Sequence, residues 1–123
     1  MDSRRTLAAA GTLIALATVL GAFGAHALRA QLPPDRLQIF ETAVRYQFFH
    51  ALGLLAVGVL MRSVDSAVLR GSALAIVIGI ILFSGSLYLL TFGAPRALGV
   101  ITPLGGLALI AGWLGFVVAI LRH

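Results

Sequence analysis

The chain has 123 residues, 60% hydrophobic and 11% charged, with a mean hydropathy of +1.06; ordinary soluble domains run at about 45–50% apolar and about 25% charged. A soluble fold of this length cannot hide so much apolar surface, so a water-soluble globular domain is excluded and lipid is the expected solvent. The lack of cysteine excludes disulfides, zinc–thiolate sites, iron–sulfur clusters and thiol catalysis, and the net charge of +5 comes from arginines spread along the chain, most of them at segment ends, which fits lipid head groups and membrane orientation rather than nucleic acid.

A membrane helix needs about 20 apolar residues, and four such runs succeed one another, at about residues 6–28, 40–61, 71–92 and 103–121. The first, TLAAAGTLIALATVLGAFGAHAL, comes after DSRR and ends at AHA, which looks like a secretory signal with a cleavage site. Its apolar run is longer than the 7–15 residues of a signal core, so it reads as a retained first helix. Ala17, Gly21 and Ala25 recur at every fourth position, a close-packing seam in which Gly24 also takes part.

QLPPDR then breaks the chain, and Asp35 is placed to cap the second helix. From Arg36 onward Leu37, Phe40 and Val44 recur at helical spacing beside Arg36, Gln38 and Glu41, an amphipathic lead-in to the second span. That span carries five polar side chains within ten residues: Glu41, Arg45, Tyr46, Gln47 and His50. Glu41 and Arg45 stand at i, i+4, where they are expected to pair; Thr42, Tyr46 and His50 form a second stripe. Charged groups facing lipid at depth cost several kcal/mol, so the second helix is expected to be the most enclosed of the four. Two layers are predicted: His26, Glu41 and Arg45 near one interface, and His50 with Tyr46 and Ser84 or Ser86 deeper in.

The third run comes after MRSVDSAVLR and has the small residues Ala75 and Gly79 on one face. The fourth comes after GAPRALGVITP; Thr102-Pro103 reads as its start, with Pro where a missing donor costs nothing. Gly105, Ala108, Gly112, Gly115 and Ala119 place five small residues on one face of it, a packing seam rather than a binding motif. Trp113 sits mid-segment and reads as core or lipid-facing packing. The whole is expected to be an all-α, four-helix transmembrane bundle forming one integral membrane domain over residues 1–123. Arg4, Arg5, Arg62, Arg70 and Arg122 on the side of the termini outnumber Arg29, Arg36 and Arg96, so both termini are expected in the cytoplasm.

No phosphate-binding glycine loop, HExxH or Ser-His-Asp constellation is present, and no metal or cofactor is implied; haem between His26 and His50 is disfavoured by their difference in depth. The candidate functional residues are therefore His26, Glu41, Arg45, Tyr46, Gln47 and His50, and the helix-packing ones Gly21, Gly24, Gly105, Gly112 and Gly115. A structural or interaction role, or lipid binding, through this polar cluster is the leading function. Its alternative is a proton- or small-solute-conducting oligomer, using a histidine and a carboxylate. The partners expected are membrane lipids, a second copy or another membrane protein, and no nucleic acid.

The stretch GAFGAHALRAQLPPDRLQIFETAVRYQFFHALGLLAVG, residues 21–58, resembles the signature of the domain of unknown function 423 family of small membrane proteins. The resemblance implies a four-helix bacterial inner-membrane protein and supplies no activity. It also implies that Gly24, His26, Glu41, Arg45, Tyr46, Gln47 and His50 occupy the family's motif positions. Phe49 stands where the family often has Tyr, which argues against an essential hydroxyl there.

Overall fold

A computed structural model describes all 123 residues, the side chain of Ala25 excepted, and among these residues every regular element is a helix. In hydrocarbon each backbone N–H and C=O must find its partner within its own segment, which these apolar stretches satisfy by coiling. α1 spans Ser3–Val19, a π-helical turn Leu20–Gly24 leads to the short α2, Ala25–Leu28, and α3 spans Pro34–Leu60. α4 spans Ala67–Thr91, and a 3₁₀ turn, Arg96–Val100, runs into α5, Ile101–Arg122. Four helical stretches, Ser3–Leu28, Pro34–Leu60, Ala67–Thr91 and Arg96–Arg122, are long and apolar enough to cross a membrane.

The helix ends obey local chemistry, though not always as expected. Asp2 caps α1 by accepting the Arg5 backbone N–H at 2.8 Å, and Ser66 caps α4 by accepting that of Leu69 at 3.2 Å. Asp35 does not cap α3: Pro33 is the cap residue, and Asp35 lies inside the first turn, where a carboxylate still favours the helix dipole. α5 begins at Ile101 instead of Pro103, because the N–H donors of a helix's first turn have no intrahelical acceptor, so proline is tolerated at more than one position there. The lead-in at Arg36 and the second span form one continuous helix of 27 residues, about 40 Å long against a hydrocarbon core of about 30 Å. Its first turns, which carry Asp35, Arg36, Gln38 and Glu41, are its polar end, and its last turns are apolar.

Successive long helices pack antiparallel, α1 on α3, α3 on α4 and α4 on α5, and α3 is the most enclosed. The core between them is built on Leu54, Val57, Leu69, Ile76, Ile80 and Leu109. Leucine-rich surfaces gain nothing over lipid by packing together, so the glycines set the spacing. Along α4 and α5, Gly105 lies against the backbone at Leu82 and Phe83, Gly112 against Ile76 and Gly115 against the Ser72 side chain. A Cβ at Gly112 would stand 2.7 Å from Ile76 Cγ1 and 3.1 Å from the Ser72 carbonyl oxygen. On α1, Ala17 is fully buried; in the π-helical turn that follows, Gly21 packs beside Val44, and a Cβ on Gly24 would meet the Phe40 ring at 2.7 Å. Ala25, the last member expected in that seam, lies outside the described side chains.

α3 and α5 do not touch backbone to backbone. They meet through Trp113, whose ring covers Gly53, and beside that bridge the bundle stays open. Leu16, Phe23, Phe49, Leu107 and Leu114 are exposed on its periphery, as a lipid-facing surface should be.

Candidate functional site

The buried face of α3 is read off Phe40, Ala43, Val44, Gln47, Ala51, Leu54 and Val57, steps of three and four that form one helical stripe. Gln47 is the polar member of that stripe, only 4% exposed. Its Nε2 donates to the Leu13 carbonyl of α1 at 2.7 Å, and its Oε1 accepts the Tyr88 hydroxyl of α4 at 2.6 Å. One amide thus ties three helices together. Ser84 adds a second link, donating from α4 to the Ala43 carbonyl at 2.8 Å. Ser86 does not reach His50; it pairs with Thr102 and joins α4 to α5. Both serines thus serve as ties between helices instead of forming a layer with the histidine.

Tyr46 and His50 are brought together. Their rings stack with centroids 6.0 Å apart and planes 29° apart, and Tyr46 packs on Phe83 at 4.9 Å. Across the gap, Trp113 Nε1 donates to His50 Nδ1 at 3.0 Å. An indole N–H can only donate, so Nδ1 serves as an acceptor here and the proton of the neutral ring lies on Nε2. Tyr46, His50, Phe83, Leu109, Ile110 and Trp113 surround an almost wholly apolar cleft of about 390 Å³. Trp113 was legible as packing but not as this partner. The available signal was general: a lone indole N–H in an apolar helix needs an acceptor.

The outer layer does not form. His26, Glu41 and Arg45 are all exposed, and among the described residues the one ion pair is Arg70–Asp65 at 2.6 Å, in the opposite connection. Glu41 and Arg45 flank a shallow hollow of about 190 Å³ beside Gly21 without pairing. The reason is position: both lie about 100° around the helix from buried Phe40 and Val44, on the helix rim, where long side chains can extend to head groups and water. An exposed pair gains little from direct contact once side-chain entropy is counted. No cluster of three or more metal-ligating side chains occurs among the described residues.

Residues 20–106 match the family described as "Protein of unknown function (DUF423)". The chain is 44% identical to UPF0382 membrane protein YwdK of Bacillus subtilis (strain 168), over 88% of this chain and 89% of that one. It is 35% identical to UPF0382 inner membrane protein YgdD of Escherichia coli (strain K12), over 99% of this chain and 93% of that one. UPF0382 membrane protein SERP0230 of Staphylococcus epidermidis is 42% identical, over 94% and 93%. No solved structure matches. With four helices able to cross a membrane and a family match over most of its length, the chain belongs to the DUF423 family of membrane proteins of unknown function.

Proposed function

We propose that this protein, a multi-pass component of the bacterial inner membrane with both termini in the cytoplasm, has a structural and lipid-binding role exercised through the polar residues of α3. The observation that carries the reading is the division of labour along that helix. Gln47 is consumed in holding α1, α3 and α4 together, while Tyr46 and His50, held by Trp113, border a cleft open to lipid. Such a cleft takes an acyl chain or another flat apolar body, and His50 Nε2–H supplies one donor for a carbonyl. The location is supported by the printed name of the E. coli relative and by the arginine bias.

A conducting oligomer is less well supported. Glu41 and His50 project about 180° apart on α3, so one protomer does not align them along a single path. Proton flux into liposomes, compared for wild type, Glu41→Gln and His50→Ala, tests that alternative directly. For the lipid-binding reading, Gly106 lies on the cleft wall, and a Cβ there would meet only Phe83 at 3.9 Å. Gly106→Leu should plug the cleft and reduce lipid carried through purification, measured by native mass spectrometry, while the melting temperature holds. Equal lipid retention by both proteins would remove the cleft as a binding site.

A further inference from the structure

At the opposite extreme of α3 from its C-terminus lies a cleft of a different character. Asp35, Arg36 and Ile39 of α3 face Leu90 at the end of α4 and Gly93 and Arg96 of the α4–α5 connection across about 490 Å³. Gly93 has φ +96°, a conformation that side chains rarely adopt, and it turns the chain back over the start of α3. Arg36 Nη1 comes within 4.0 Å of the point where a side chain on Gly93 would begin. The guanidinium thus arches from α3 toward the connection that carries Arg96. Among the described residues neither arginine has a carboxylate within ion-pair distance, although Asp35 lines the same cleft. Two cations against one anion leave the cleft with a positive excess.

Level decides what can use it. α3 exceeds the hydrocarbon thickness by about 10 Å, and its polar residues Asp35, Arg36, Gln38 and Glu41 lie in its first turns while its last turns are wholly apolar, which favours the head groups as the level of the cleft. Below the charges, Ile39 and Leu90 offer apolar walls. A phosphate presents several acceptor oxygens that guanidinium forks bind in two parallel bonds. We propose that Arg36 and Arg96 form a binding site for the phosphate of an anionic glycerophospholipid, with the start of its acyl chains against Ile39 and Leu90. The site does not rest on the Tyr46–His50 cleft: Arg36 lies about 20 Å along the helix from His50.

The test offers the purified full-length protein an equimolar mixture of phosphatidylglycerol and phosphatidylcholine and reads the retained lipid by native mass spectrometry. Wild type should retain phosphatidylglycerol preferentially. Arg36→Gln and Arg96→Gln should each reduce that preference about fivefold, and the double variant about twentyfold. Arg70→Gln, which removes a cation at the other interface, should leave it unchanged, and Asp35→Asn should increase it. Each of these side chains is exposed, so the variants should melt as wild type does. Inorganic phosphate is the competing source of the same chemistry. If it stabilises the delipidated wild type but not the double variant, and the lipid preference is absent, the site belongs to soluble phosphate and the lipid assignment fails. Equal preference in wild type and double variant overturns the site altogether. Because Gly106→Leu changes retained lipid of any head group and the arginine variants change only its charge selectivity, the two sites fail independently.

Discussion

At position 47 a side-chain amide that would otherwise be stranded in hydrocarbon has both of its ends occupied, by the Leu13 carbonyl and the Tyr88 hydroxyl. Replacing it with leucine keeps the volume and removes both bonds, leaving the Tyr88 hydroxyl without its acceptor. Interhelical hydrogen bonds in membranes are worth about 0.6 kcal/mol each and at most about 1.7. Gln47→Leu should therefore destabilise the protein by about 1–3 kcal/mol in denaturant titration of the purified protein. Glu41→Gln and Arg45→Gln, at exposed positions without an ion pair, should each change stability by less than about 0.5 kcal/mol. A large loss in either would mean that the two side chains compensate one another after all. That these residues were unusual was plain from the sequence, since five polar groups interrupt an apolar run. Which of them faced protein was not, because Glu41 and Gln47 differ in rotation about the helix axis and only the neighbouring helices define the inside.

Among the elements, the α4–α5 pair depends most on small residues. Thr102 stands opposite Ser86, Gly105 opposite Phe83 and Gly112 opposite Ile76, a constant antiparallel register that shifts by one residue at Gly115 opposite Ser72. A methyl group at Gly112 would have to displace Ile76 and the Ser72 carbonyl, so Gly112→Ala should cost about 1–3 kcal/mol. Gly85 lies on α4, and a methyl group added there would have nothing within 4 Å, so Gly85→Ala should be neutral or stabilising by up to about 1 kcal/mol. Parallel melting curves of the two variants check the contrast; equal losses would indicate that helix propensity, not interhelical spacing, governs both. The small-residue face of α5 was legible because its spacing is a property of one helix. Its partner was not, and Gly53, which accommodates Trp113, carried no mark distinguishing it from glycines in open space such as Gly85.

For the molecule as a whole, four crossings, an even number, would put both termini on one side of the membrane, and the proposal that this side is the cytoplasm follows the arginine bias. The chain has no cysteine, so single introduced cysteines report topology cleanly. Ala94→Cys should react with a membrane-impermeant maleimide in intact spheroplasts, and Ser63→Cys only after lysis. The reverse pattern would invert the protein. Composition and run length alone determined the all-helical class and the number of helices able to cross a membrane, because burying backbone polar groups in lipid leaves a long apolar segment one low-energy conformation. Tertiary structure alone decided that Gln47 is a tie between helices, that Glu41 and Arg45 stay on the rim, and that Trp113 holds His50 across a gap. Those outcomes depend on the azimuth of each helix and the distance to its neighbour, set by glycine contacts between segments far apart in sequence, where no local pattern can register them.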